Sequence, residues 1–212
     1  MNHWPKILIL LIILPISALS NIDNFEGKIK IIKEGAYDTS KIEVSVKNEI
    51  VRIDEFNSSN QIVRSYLVDL AKERLYALSL KEKLYSEIPL NKSSGSALNP
   101  EITKTQNSMN INGENCYQWR VKDKSRNSEV TFWVTQKDLS FLKALVGILN
   151  RSQTPLTILG QFPQVNGYIP LMAVDRTLLR KLKESTRIVD IKQQKLPDSI
   201  FIIPRDFQEL LG

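Results

Sequence analysis

From Phe25 to Ile88 apolar and polar residues alternate with a period of two, a pattern that fits half-buried strands and not helices. Phe25, Gly27, Ile29 and Ile31 alternate with Glu26, Lys28 and Lys30, and Ile42, Val44 and Val46 alternate with Glu43, Ser45 and Lys47. A two-residue turn at Asn48-Glu49 would set Val46 against Val51 and Val44 against Ile53. Asparagine tolerates the positive φ that such tight turns need. The stretches 61–70, 74–80 and 84–88 continue the meander, with charged turns at Ala71-Lys72-Glu73 and Lys81-Glu82-Lys83. Pro89 ends it, because proline has no amide hydrogen to give to a ladder. The alternation predicts an antiparallel sheet.

A second alternating region, Cys116 to Val121 and Val130 to Thr135, is closed by the polar stretch Asp123 to Asn127 and reads as a hairpin. Its register follows from its side chains, since a slip of one residue would send each of them to the other face. With the turn centred between Ser125 and Arg126, Val121 faces Val130, Trp119 faces Phe132 and Tyr117 faces Val134. The opposite face then pairs Lys122 with Glu129, Arg120 with Thr131 and Gln118 with Trp133. A shift by one would set Arg120 against Phe132. Apolar and opposite-charge cross-strand pairs contribute roughly 0.2–1 kcal/mol each, which decides for the first register.

Around this hairpin the pattern changes. The stretch 91–100 is turn-rich and predicts a mobile loop, and 101–111 predicts a strand. After Asp138, a candidate N-cap, Phe141, Leu142, Leu145, Val146 and Leu149 fall on one stripe of a helix, with Lys143 and Asn150 off it. Gly160 to Gly167 reads as a loop and Tyr168 to Arg176 as a strand. For Thr177 to Glu184 two readings stand: a helix on Leu178, Leu179 and Leu182, or a strand pair turning at the charged residues. Thr186 to Gln193 alternates, Ile200 to Ile203 reads as a short strand, and Pro204 opens a helical turn. About ten strands and one strongly amphipathic helix result.

The first twenty residues read as an export signal. Lys6 precedes the apolar run Ile7 to Leu14, and Ala18-Leu19-Ser20 places small residues where a signal peptidase reads them. The run is short of the ~18 apolar residues that span a bilayer. The expectation is cleavage after Ser20, with an uncleaved anchor as the alternative, a periplasmic or secreted destination, and a single domain over 21–212 without a transmembrane segment in the mature chain. The lone histidine, His3, would leave with the signal, which excludes histidine-based catalysis and histidine-ligated metal. Cys116 is the sole cysteine and reads as a packed thiol. Acidic pairs such as Asp54 with Glu55, or Asp69 with Glu73, read as surface carboxylates. No catalytic residue, cofactor or metal site is expected. The basic clusters Lys122, Lys124, Arg126 and Arg180, Lys181, Lys183 read as solvated faces or as contacts to an anionic surface such as phospholipid head groups. With an export signal and no recognised motif, nucleic acid is not an expected partner.

Several short motifs carry a resemblance. Phe25-Glu26-Gly27, then Val46 to Ile53, then Leu75-Tyr76-Ala77-Leu78 and Lys83, Tyr85, Glu87, Pro89 recur in order; so do Ile111 to Tyr117, Glu129 to Thr135, Asp138-Leu139, and Asp198 to Pro204. In these the chain resembles the DUF4412-type family of exported bacterial domains of unknown function. The resemblance implies the architecture of periplasmic lipoprotein carriers of the LolA/LppX type. That is an α+β fold: a strongly curved antiparallel sheet, a partial barrel, with helices covering its concave face and an apolar cavity between.

The function expected from these readings is non-enzymatic: a hydrophobic ligand (lipid, acyl chain or lipoprotein anchor) held between sheet and helix. Tyr117, Trp119, Phe132 and Val134 would form the floor, with Phe141, Leu142 and Leu145 as the lid. The same residues would equally close a dry core. The alternative is a cell-envelope interaction or scaffold module that binds a protein partner through its surface.

Overall fold

The computed structural model describes residues 25–91, 101–137, 139–152, 154–163 and 167–210. The export segment 1–20, most of the turn-rich stretch 91–100 and the N-cap candidate Asp138 lie outside the described residues. The first meander comprises β1 (Gly27–Gly35), β2 (Thr39–Lys47), β3 (Ile50–Phe56), β4 (Ile62–Asp69), β5 (Arg74–Ser79) and β6 (Leu84–Ile88). The second comprises β7 (Glu101–Ile111), β8 (Glu114–Asp123), β9 (Ser128–Gln136), β10 (Tyr168–Arg176) and β11 (Leu182–Gln193). Between β9 and β10 the chain inserts α1 (Ser140–Asn150) and the short α2 (Thr157–Gly160). A two-residue strand, β12 (Gln208–Glu209), completes one open, curved sheet in the order β12-β6-β5-β4-β3-β2-β1-β11-β10-β9-β8-β7.

The two hairpins with defined registers form as their side chains require. Val46 pairs with Val51 and Val44 with Ile53, while Asn48 takes φ +53° at the turn. Val121 pairs with Val130, Trp119 with Phe132 and Tyr117 with Val134. At the β7–β8 turn Asn112 (φ +54°) and Gly113 (φ +85°) both adopt the left-handed region that a two-residue turn needs. Of the two readings of Thr177 to Glu184, the strand pair is the one formed. The Thr177 N–H donates to the Lys181 carbonyl (2.8 Å), and Arg180 takes φ +67°.

One face of the sheet and the helices share a single apolar core. Ile29, Ile31, Val44, Val51, Ile53 and Val68 from the first meander meet Trp119, Val130, Phe132 and Val134 from the second. From the helices, Phe141, Leu145, Val146, Ile148 and Leu149 of α1 and Ile158 and Leu159 of α2 enter the same core. Lys143 and Asn150 are exposed, as the helical stripe predicts. The N-cap of α1 is Leu139, with no side-chain cap.

The C-terminal segment departs from expectation. Asp198–Phe201 is a 3-10 helix where the apolar residues predict a short strand, and it lies across the other face of the sheet. Polar side chains of that face hold it there. Lys47 Nζ donates to the Leu196 carbonyl (2.8 Å) and pairs with Asp198 (2.6 Å), and Arg52 Nη1 donates to the Ile200 carbonyl (3.2 Å). Leu196 and Phe201 are buried beneath. With its carbonyls taken by side chains, the segment has no ladder to join. Pro204 opens a single turn, as its position predicts, closed by the Phe207 N–H donating to the Pro204 carbonyl (3.0 Å). The chain then runs parallel to β6, the Gln208 N–H donating to the Lys83 carbonyl and the Leu210 N–H to that of Tyr85. An unpaired strand edge is a template for this addition.

Gly160 lets α2 fold back on the end of α1. A Cβ there would lie 2.7 Å from the Asn150 nitrogen and 2.9 Å from its Cα, both rigid backbone atoms. Gly160→Ala is therefore expected to destabilise the protein by ~1–3 kcal/mol, measured as a lowered urea midpoint with an unchanged slope.

Candidate functional site

The site suggested by the sequence lies where the β8–β9 hairpin meets the helical insertion. Trp119 and Phe132 project from neighbouring strands into the core, and Phe162, just after α2, inserts against both. The Phe162 ring stacks on Trp119 at 6.0 Å between centroids and meets Phe132 edge-on at 5.3 Å. Tyr168, the first residue of β10, closes on Trp119 at 5.0 Å. Lys104 of β7 places its Nζ 4.3 Å from the Trp119 ring centroid, a cation–π contact on the side of the sheet edge. A second aromatic contact, Phe25 on Phe141 at 5.6 Å, joins α1 to the start of β1.

Of the seven residues expected to line the site, Trp119, Phe132, Val134, Phe141 and Leu145 are buried in the common core, and Leu142 is half-buried against it. Tyr117 is placed differently. It is 42% exposed and takes a hydrogen bond from Asn115 Nδ2 (3.2 Å). Register assigned Tyr117 the correct neighbours, but β8 is next to last in the sheet and the helical layer does not bury the ring there. Phe162, Tyr168, Ile158 and Leu159 were not anticipated. The stretch that holds the first, third and fourth is too short and irregular to show a period, and Tyr168 was visible only as a strand residue.

Trp133, on the hairpin's other face, is half-buried and pairs across the ladders with Gln118 and Met172. Cys116 is fully buried, and burial pushes its thiol pKa up, so the thiolate that a nucleophile would need is disfavoured. The acidic pair Asp54 and Glu55 corrects another expectation, for both are buried. They project to opposite faces of β3 and each is separately neutralised. Asp54 takes hydrogen bonds from Arg52 Nε (2.8 Å) and Ser65 Oγ (2.6 Å), and Glu55 from Ser40 Oγ (2.9 Å) and Arg64 Nη1 (3.0 Å). That arrangement gives them no common substrate. Among the described residues no group of three or more His, Cys, Asp or Glu side chains is placed to hold a metal ion.

Two clefts among the described residues lie away from the aromatic cluster. One, about 320 Å³, lies among Asn112, Glu114, Thr135, Lys137, Ile188 and Asp190. The other, about 310 Å³, lies among Val63, Tyr66, Ala77, Leu84, Tyr85 and Leu210.

The way the helical layer is attached bears most on function. Among the described residues one backbone hydrogen bond, from the Asn91 N–H to the Arg151 carbonyl (3.0 Å), and one ion pair, Arg151 with Glu73 (2.8 Å), tie residues 139–163 to the rest. Among the described residues the other contacts between layer and sheet are side-chain packing. None of the described contacts between layer and sheet is a strand ladder.

The fold is one open curved sheet whose apolar face shares a core with the two helices. The chain belongs to the family described as Domain of unknown function (DUF4412), which matches residues 25–207. An uncharacterized conserved protein from Thermus thermophilus has a similar fold, with a TM-score of 0.55 and 9% identity over 89% of this chain and 92% of that one. A chain of the MucA/MucB complex of Pseudomonas aeruginosa gives a TM-score of 0.50 and 12% identity over 89% of this chain and 58% of that one. A putative outer membrane lipoprotein-sorting protein domain from Vibrio parahaemolyticus also matches, with a TM-score of 0.21 and 9% identity over 82% and 87% of the two chains, a likeness too slight to argue from. No curated protein is significantly similar in sequence. At such identities the structural likenesses speak for the fold alone.

Phe162→Ala is expected to cost ~3–5 kcal/mol, because it empties the contact between Trp119 and Phe132, and to shift the tryptophan emission to the red. Tyr117→Ala is expected to change stability by less than ~1 kcal/mol. Chemical denaturation of the two variants side by side checks both.

Proposed function

We propose that this is a non-enzymatic protein of the bacterial cell envelope that holds a hydrophobic ligand, a lipid or acyl chain, between the sheet and the α1–α2 layer. One observation carries the reading: the layer is fixed to the sheet almost wholly by apolar side chains. A lid of this kind can exchange its contacts with Trp119, Phe132 and Val134 for contacts with an alkyl chain, which replaces apolar burial with apolar burial. Each buried methylene contributes ~0.8 kcal/mol, so about ten would supply roughly 8 kcal/mol, the scale of micromolar binding before the cost of parting the layers is deducted. The envelope location rests on the apolar N-terminal segment with its small residues at 18 and 20. No helix among the described residues is long and apolar enough to cross a membrane.

A second reading, an interaction module for an envelope protein, is favoured by β7. This strand is the last of the sheet, eleven residues long and exposed over most of its length, and its outer backbone edge pairs with no strand among the described residues, as strand addition needs. In this reading the α1–α2 layer closes a dry core.

Native mass spectrometry and solvent extraction of the chain purified from the envelope, with titration of its tryptophan emission by fatty acids and phospholipids, separate the two. The carrier reading predicts a co-purified lipid and a saturable emission change. Absence of both leaves the interaction module.

A further inference from the structure

The two basic clusters of the sequence, fifty residues apart in the chain, meet at one end of the sheet. The β8–β9 turn and the β10–β11 turn lie side by side there. Lys183 Nζ donates to the Arg126 carbonyl (3.2 Å), the Leu178 N–H donates to Asn127 Oδ1 (3.1 Å), and Arg180 pairs with Glu129 of β9 (3.0 Å). Residues 120–129 and 175–184 together hold eight basic and four acidic side chains. All four acids have a basic partner: Asp123 with Arg126, Glu129 with Arg180, Asp175 with Lys183 and Glu184 with Lys33. Among the described residues Lys124, Arg176 and Lys181 pair with no carboxylate, and all three are exposed.

The same end carries two apolar tips. Leu179, in the β10–β11 turn, is 91% exposed, and Tyr37, in the β1–β2 turn, is 100% exposed. They are the two most exposed large apolar side chains among the described residues; Leu210 follows at 60%. Because β11 pairs with β1, with Gly35 opposite Glu184, these turns are neighbours on one rim. A lone exposed leucine needs no explanation. Leu179 stands beside the unpaired Arg176 and Lys181, whereas the turn of Tyr37 carries the exposed Glu34 and Asp38; with residues 33–39 counted, the rim holds nine basic and six acidic side chains. A leucine and a tyrosine on adjacent turn tips of a rim that stays net positive match the chemistry of a bilayer interface, where tyrosine and aliphatic tips enter the head-group layer and cations meet phosphate.

The geometry points to this rim as a docking site for an anionic phospholipid bilayer, independent of whether the interior holds a ligand. Leu179 and Tyr37 enter the interface, and Lys124, Arg176 and Lys181 engage head-group phosphates. Each such cation raises partition roughly fivefold at moderate salt, and the attraction falls as salt rises. The strands then stand end-on to the membrane, and the β4–β5 turn with Lys72 points away from it.

Flotation of the chain from Asn21 to Gly212 with vesicles tests this. It is expected to float with phosphatidylglycerol–phosphatidylcholine vesicles, to stay behind with phosphatidylcholine alone, and to be released by high salt. The double variant Lys124→Glu/Lys181→Glu is expected to lose at least about tenfold in partition, and Leu179→Ser several-fold, both with unchanged melting temperature. Lys72→Glu, at the opposite end, is expected to float like the parent. Equal flotation with both vesicle types, no flotation with either, undiminished flotation of the rim variants, or an equal loss with Lys72→Glu overturns the assignment. The second and third of these results would leave the rim to a partner other than a bilayer.

Discussion

The sheet depends on the seam between β1 and β11. Strands consecutive in sequence pair within each meander, but the two meanders are joined through β1, which pairs with β2 on one side and β11 on the other. Ile29 sits between Val44 and Ile191, and Ile31 between Ile42 and Ile188, so the seam is apolar across three strands. Val189 is the extra residue of a bulge there, opposite the step from Lys30 to Ile31. Such a bulge bends its strand and increases its twist, which suits a sheet that curves at the join. The partners are about 160 residues apart in sequence, so the seam closes against a large loop entropy and marks a slow, non-local step of folding.

With the seam closed, the connection from β6 to β7 links opposite edges of the sheet, and the insertion between β9 and β10 lies over the core face. The opposite face is covered by the C-terminal segment, which Lys47 and Arg52 hold by its carbonyls. The two covers differ in kind. The C-terminal one is fixed by directional polar contacts, whereas the helical one rests on apolar packing around Phe162. In the proposed function it is the helical side, held almost wholly by packing, that admits the ligand.

Much of this was legible in the residues. The β8–β9 register was fixed by three aromatic and three aliphatic side chains that needed a common face, and the β2–β3 turn by Asn48 and the valines around it. The α1 stripe gave the buried side of the helix. Less visible were features that depend on coverage and not on pattern. Tyr117 has the register expected, yet it stands near the sheet edge beyond the helical layer. Asp54 and Glu55 looked like surface carboxylates because, apart from Arg52 on the same strand, their partners Ser65, Ser40 and Arg64 come from other strands. Phe162 follows a helix too short to show a period. The C-terminal segment contains strand-forming residues, but the cations awaiting its carbonyls are some 150 positions earlier in the chain.

Intermolecular nuclear Overhauser contacts between the chain and a long-chain fatty acid test the central claim most directly, since they report where an acyl chain resides. The sheet-and-lid account predicts contacts from the acyl methylenes to the rings of Trp119 and Phe132 and to the methyls of Val134 and Leu145 in the same complex. Contacts confined to surface residues such as Leu179 and Tyr37, or none at saturating lipid, would contradict it.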